Sequence, residues 1–203
     1  MTERAQLEGS ALGERLRKER AERGLSLREL ARRLEVSPSL VSQIETGKIQ
    51  PSVRTLYAIA SELGVSLDEM IFPAAAGLRR RPAATEGPVQ RAHDRPVIEL
   101  ESGVRWERLS AWKDLDMEYL YAVYEAGGES SPADALVRHQ GREFRVVRDG
   151  TLHVRVGFDE HVLEPGDSIS FESTTPHRLH NDGSAVVHAI WVVVGRGGAF
   201  SSS

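Results

Sequence analysis

The hydrophobic period changes once along this 203-residue chain, and that change limits what the chain can fold into. From Leu12 to Phe72 apolar residues recur three and four apart: Leu12 and Leu16; Leu27, Leu30, Ala31 and Leu34; Leu56, Ile59, Ala60 and Leu63; Leu67, Met70 and Ile71. That spacing marks one face of an α-helix. After Pro96 the period becomes two, in Val104 to Leu109, Met117 to Tyr124, Phe144 to Val147, Leu152 to Val156, Ser168 to Phe171 and Val186 to Val194. Asp149-Gly150, Pro165-Gly166 and Asn181-Asp182-Gly183 supply turns between these segments, so the region predicts an all-β sandwich or barrel. A helical pattern does not settle as a strand. The chain therefore divides into a helical unit over 11–72 and a β unit over 96–198. Residues 73–95, rich in proline, glycine and small residues without a sustained period, read as a linker, and residues 1–10 as a loose tail.

Five short helices fit the first unit. Ser26 with Glu29 and Ser66 with Glu69 read as capping boxes, Ser37 precedes Pro38 at a first helical position, and Gly24, Gly47 and Gly64 mark ends. The two units also differ in charge. Residues 1–81 carry 14 Lys+Arg and 11 Asp+Glu, a balance of +3, and the remainder carries 12 and 19, a balance of -7, which together give -4. A polyanionic partner therefore belongs to the N-terminal unit. With zero cysteines, a disulfide framework, a thiolate zinc site, an iron-sulfur cluster and a cysteine nucleophile are all excluded. Any metal must be held by His and carboxylate. The longest clean apolar run, Ala189 to Val194, falls far short of the roughly 18 residues of a membrane span. No secretory pattern opens the chain, so the expected location is cytoplasmic, with no membrane partner.

Leu27 to Leu34, a tight turn at Glu35 and Val36, and Pro38 to Thr46 form a helix-turn-helix pattern over about residues 27–46. In its second helix Val41 and Ile44 face the core and leave Ser39, Leu40, Ser42 and Gln43 outward. A short polar face of this kind can enter a major groove, where Gln43 can bond adenine, the serines can bond base edges or phosphates, and Leu40 can meet a thymine methyl. The stretch from GERLRKERAERGLSLRELARRLEVSPSLVSQIETGK to ASELGVSLDEMIF resembles the xenobiotic-response-element family of lambda-repressor-like, five-helix DNA-binding domains. The resemblance implies base reading from Pro38, Ser39, Ser42 and Gln43 and phosphate contacts near Ser37, Thr46, Gly47 and Lys48. Where that family often has Gln at the start of its second helix, this chain has Leu27 followed by Arg28, which can replace the contact electrostatically. Arg20 continues the Leu12, Leu16 stripe, and its expected partner is Glu45, as the resemblance also implies.

In the β unit, HQGREFRVVRDG at His139 to Gly150 and PGDSISFESTTPHRLHN at Pro165 to Asn181 resemble the two motifs of the cupin superfamily, a double-stranded β-helix barrel. The resemblance implies a divalent metal held by His139, Glu143 and His177, with Val137 standing where the family places another His ligand. Two imidazoles and a carboxylate suit iron, manganese, nickel or zinc. The alternative is a hydrogen-bonded polar cluster. His153, His180 and His188 are discounted as substitutes, because His180 alternates away from His177. Strand alternation from Glu143 turns Arg145 and Val147 inward, and an inward Arg145 favours an anionic effector, since a buried charge needs a partner. Tyr119, Tyr121, Trp106 and Trp191 are candidate lining residues.

The chain thus reads as a DNA-binding transcriptional regulator, expected to be a repressor. It is expected to dimerise through the cupin domain on a palindromic double-stranded operator and to sense a small molecule, and it is not expected to be an enzyme. A metal-dependent cupin enzyme with an autoregulatory head and an effector-independent interaction module are the alternatives.

Overall fold

The computed structural model describes residues 3–65, 67–72, 88–111 and 117–195. Four helices of seven residues or more come first: α1 (Glu3–Glu22), α2 (Leu27–Arg33), α3 (Pro38–Glu45) and α4 (Val53–Leu63), closed by the five-residue α5 (Leu67–Ile71). Helix α1 begins earlier than its apolar stripe suggests, and residues 3–10, expected as a loose tail, are helical. Period is the wrong guide there. Helix formers such as Glu, Arg, Ala, Gln and Leu extend a helix already nucleated, at one hydrogen bond per added residue. The expected Ser66–Glu69 capping box and linker residues 73–87, including Arg79 to Arg81, lie outside the described residues.

Local chemistry fixes the helix ends. The hydroxyls of Ser26, Ser37 and Ser52 accept from the N–H groups of Glu29, Leu40 and Thr55 at 3.1, 3.1 and 3.2 Å, each satisfying an N-terminal donor that has no helical partner. Four helix ends close with the same backbone bond: Leu25 to Arg20, Val36 to Ala31, Lys48 to Gln43 and Val65 to Ala60. The residue before each donor is left-handed: Gly24, Glu35, Gly47 and Gly64.

Helix α1 crosses α3 at Gly13, where a Cβ would lie 2.4 Å from the Ile44 carbonyl oxygen, so only glycine permits this approach. Leu12, Leu16, Leu30, Ala31, Val41, Ile44, Leu56 and Ile59 fill the space between the helices. The expected Arg20–Glu45 pair forms, with Nε and Nη2 of Arg20 donating to the carboxylate at 2.6 and 3.0 Å and Nη1 donating to the Leu25 carbonyl at 2.6 Å. The pair ties the C-terminal half of α1 to the end of α3.

The β unit holds β1 (Val97–Leu100), β2 (Val104–Arg108), β3 (Met117–Tyr124), β4 (Arg142–Asp149), β5 (Leu152–Val156), β6 (Asp159–Leu163), β7 (Ser168–Glu172), β8 (His177–His180) and β9 (Val187–Val194). They form a six-stranded sheet ordered β1-β2-β3-β9-β4-β7 and a three-stranded sheet ordered β6-β5-β8. Every strand pairing is antiparallel. Strands β1, β6 and β8 escape the period-two reading because they are short or polar: VIEL, DEHVL and HRLH. The inner faces bury Trp106, Ala122, Val147, Leu152, Val154, Leu179, Ala189, Trp191 and Val193. Tyr119 and Tyr121, expected as lining residues, occupy the opposite face, since the β3 alternation sends Leu120 and Ala122 inward.

Head and barrel share one apolar cluster. The Glu101 N–H donates to the Pro51 carbonyl at 3.3 Å, and the Arg108 guanidinium lies 5.5 Å from the Phe72 ring centroid. Tyr57, on α4, is buried against the barrel aromatics, with its ring centroid 6.2 Å from Trp106 and 6.5 Å from Trp191. No helix among the described residues is long and apolar enough to cross a membrane.

Candidate functional site

The outward face of α3 presents Pro38, Ser39 and Gln43 as exposed residues and Ser42 as half-buried. Leu40 is half-buried and packs against the head's apolar cluster, so only part of its side chain is available on that face. Ser37 is exposed, with its hydroxyl engaged as the α3 cap. Thr46 donates its hydroxyl to the Ser42 carbonyl at 2.8 Å, while Gly47 and Lys48 follow at the helix end. The charges nearby sort themselves. Arg32 and Arg33 are spent on Glu29, whose carboxyl their hydrogen bonds hold down to about 2, and Arg33 also reaches Glu62 at 2.8 Å. Arg28 and Lys48 are exposed and make no ion pair among the described residues, so their charges remain available to phosphate.

The second site lies inside the barrel. Glu143 and Arg145 leave β4 on the same face, His177 begins β8, and His139 precedes β4 with its N–H bonded to the Ser173 carbonyl at 3.0 Å. Oε1 of Glu143 lies 2.8 Å from Nε2 of His139 and 3.0 Å from Nε2 of His177. Each imidazole turns its other nitrogen to a backbone carbonyl, His139 to Gln140 at 3.0 Å and His177 to Thr175 at 2.8 Å. A carbonyl only accepts, so both Nδ1 atoms carry protons and both Nε2 atoms face the carboxylate. Contacts this short in a buried space place either protons, as hydrogen bonds from Nε2 to Glu143, or a cation between these atoms. Orientation of metal-binding histidines by carbonyls is the usual outer shell of such a centre, and the donor set fits a divalent ion.

Arg145 is buried as expected, and it is already paired. Its Nη2 and Nε donate to Oε2 of Glu143 at 2.7 and 3.1 Å, its Nη1 to the Tyr124 hydroxyl at 3.3 Å, and its Cζ lies 4.3 Å from the Trp191 ring centroid. Burial pushes the Glu143 carboxyl upward, yet the Arg145 charge and the hydrogen bonds from His139 and His177 hold it well below the usual carboxylate range. Val137, at the position of the absent histidine, is buried and exchanges two backbone bonds of 2.8 Å with His177.

Tyr57 completes this site from the head. Its ring stacks on His139 with centroids 4.4 Å apart and planes 2° from parallel. The sequence does not mark it, because the Leu56, Ile59, Ala60, Leu63 stripe already accounts for the helical period. Val53 and Tyr57, four apart on another flank of α4, were the available signal. Beside them a cleft of about 260 Å³, lined in part by Arg54, Tyr57, Val137 and Arg138, separates head from barrel.

A third feature lies on the outer face of the six-stranded sheet. Tyr119, Val192 and Phe144 line up across β3, β9 and β4, and Tyr121, Ile190 and Val146 form the next row. Tyr119, Phe144 and Val146 are 37%, 42% and 44% exposed, which makes this a continuous apolar patch.

A helix-turn-helix family model matches residues 16–70, and a cupin domain model matches residues 120–193. The HTH-type transcriptional regulator PuuR of Escherichia coli is 25% identical over 185 residues, 90% of this chain and 94% of that protein. An uncharacterised HTH-type transcriptional regulator of Sinorhizobium fredii is 41% identical over 54 residues, 27% of this chain and 70% of that protein. The crystal structure of an HTH_3 family transcriptional regulator from Vibrio cholerae has the same fold, with a TM-score of 0.64 at 24% identity over 94% of this chain and 98% of that one.

Proposed function

Because the chain belongs to the HTH-type transcriptional regulators and carries a cupin domain behind its DNA-binding head, we propose that the barrel is an effector sensor read by the head through Tyr57. His139, Glu143 and His177 would hold a divalent ion, which would offer open coordination positions to a small molecule. One carboxylate, one guanidinium and one dication leave the buried centre with excess positive charge, which favours an anionic effector. Arg145 acts there chiefly by compensating Glu143 and fixing its orientation.

The stack of Tyr57 on His139 carries this reading. A ligand that reorients the His139 imidazole changes the surface on which α4 rests, and α4 shares a core with the reading helix α3. DNA is met by Pro38, Ser39, part of Leu40, Ser42 and Gln43 on base edges, with Arg28, Ser37, Thr46, Gly47 and Lys48 on phosphates. The apolar rows on β3, β9 and β4 support a homodimer through the barrels. A two-fold dimer would read a palindrome whose half-sites lie one helical turn or a multiple apart, and repression is the expected sign.

The test is binding of the full-length protein to DNA from its own promoter region, metal-free and loaded with Fe²⁺ or Zn²⁺, at physiological salt. A change in affinity of about 5- to 150-fold is expected. Gln43→Ala should lower the preference for that DNA over random sequence. Equal affinity of the metal-free and loaded forms, with or without added small anions, overturns the sensor reading. The same donor set also serves mononuclear oxygenases, so turnover is the second reading, tested by oxygen consumption of the Fe²⁺ form with candidate small-molecule substrates.

A further inference from the structure

Outside the barrel, on the other face of the three-stranded sheet, a second set of metal-type donors converges. Strands β5 and β8 pair with His153 directly opposite His180, so two imidazoles leave neighbouring strands on the same side, their ring centroids 5.2 Å apart. The third donor is Asp182, whose Oδ2 lies 3.0 Å from Nε2 of His180. One ligand atom from each of the three residues falls within 4.8 Å of the other two. His177 and His180 are three apart on one strand, so this cluster and the barrel centre face opposite ways.

Two observations separate this cluster from a chance gathering of polar surface. His180 is only 9% exposed, and its Nε2 is turned to Asp182, so the ring is held in a fixed orientation. Asp182 is also held in place by its neighbour. Asn181 donates its side-chain amide to the carbonyls of Tyr124, Glu125 and Ala185 at 3.1, 3.0 and 2.8 Å, while its Oδ1 accepts from the Gly183 N–H at 2.9 Å. Its backbone is bonded on both sides to Gly127 and Gly128. The chain on either side of Asp182 is therefore fixed before any ion arrives. The nearby Arg178 adds positive charge beside His180, but that charge is offset in part by Glu129, to which its guanidinium is bonded at 2.7 Å, and the guanidinium also bonds the Ser131 carbonyl at 2.8 Å.

We propose that His153, His180 and Asp182 form a second metal site, selective for late first-row dications such as Zn²⁺, that fastens the end of β8 and the turn after it to β5. Two imidazoles with one carboxylate suit Zn²⁺, Ni²⁺ or Cu²⁺ and not Mg²⁺ or Ca²⁺, which prefer oxygen ligands throughout. The remaining coordination position faces solvent, since Asp182 is exposed and His153 half-buried. The proposal is independent of whether the barrel centre holds an ion.

Equilibrium dialysis of the full-length protein against Zn²⁺, after removal of bound metal by chelator, provides the test, with metal content read by mass spectrometry. Both His153→Gln and Asp182→Asn alter residues that are not part of the core, and each should melt with the wild type in chelator. Each variant is expected to bind one Zn²⁺ fewer than wild type, or to bind that equivalent at least about tenfold more weakly. Excess Mg²⁺ should not compete. Unchanged stoichiometry and affinity in both variants overturns the site.

Discussion

The Tyr57 ring lies flat on the His139 ring, 4.4 Å between centroids, although one residue belongs to the helical head and the other to the barrel. The contact is buried, and Trp106 and Trp191 both meet the Tyr57 ring edge-on. Tyr57 therefore belongs to both units: as a core residue of α4 it anchors the head, and as a ring on His139 it touches the donor cluster.

Tyr57→Ala should lower stability by about 3 to 5 kcal/mol, the usual cost of removing a large buried aromatic. Urea denaturation measures that loss. The more telling result is expected at conditions where the variant is folded: DNA affinity persists, while its dependence on barrel metal disappears. A variant that keeps the full metal response would place the coupling elsewhere.

Glu143 is the only carboxylate within the buried cluster of His139, His177 and Arg145 among the described residues. Glu143→Gln leaves the Arg145 charge uncompensated and should cost about 3 to 5 kcal/mol near pH 7. The carboxyl is held below its ordinary value in the folded protein, so its contribution is complete above the unfolded carboxylate range. It is lost as pH falls through the depressed folded value. The stability gap between wild type and Glu143→Gln should therefore stay constant from neutral pH down to about pH 4 and narrow only below that. Denaturation midpoints across this range would check the sign, and a gap that widened on acidification would contradict it.

The apolar rows Tyr119–Val192–Phe144 and Tyr121–Ile190–Val146 predict where two copies meet. Phe144→Arg with Val146→Asp places opposite charges on that face without touching inward residues. Sedimentation should show the wild type as a dimer and the variant as a monomer, with thermal stability of the fold little changed. Operator affinity should fall with the loss of the second reading head. A variant that remains dimeric would move the interface to another surface.

The two units and the local helix signals were legible because burial there is one-sided and periodic: Leu12, Leu16, Leu30, Val41 and Ile44 all face the head core, and Ser26 and Ser37 cap the helices they precede. His139, Glu143 and His177 were legible from motif spacing, and Arg145 from alternation with Glu143. Contacts between distant segments were not legible. Nothing local to Arg145 announces that Glu143 saturates it, and nothing local to Tyr57 announces a barrel histidine as its partner. His153 and His180 point away from the barrel, and only the β5–β8 register brings them together. Tyr119 and Tyr121 have strand-like apolar character on either face, so their outward direction depends on sheet pairing.

Glu35 breaks a rule that the rest of the head obeys. Its φ is +56°, the only positive value at a non-glycine residue among the described residues, and it occupies the position that Gly24, Gly47 and Gly64 hold at the other three helix ends. The Val36 N–H still reaches the Ala31 carbonyl at 3.0 Å and the Glu35 N–H the Arg32 carbonyl at 3.3 Å, so the capping motif is complete and its strain lies in the Glu35 backbone. A side chain in the left-handed region costs about 1 to 2 kcal/mol, and glycine gives part of that back through the greater freedom of its unfolded chain. Glu35→Gly should therefore stabilise the protein by about 1 kcal/mol, raising the urea midpoint without changing the slope of the transition. Because the substitution sits in the turn that sets α2 against α3, operator preference should be unchanged if the turn geometry is already that of a glycine. A lower midpoint would mean that the Glu35 side chain contributes more at the head–barrel cleft than its backbone strain removes.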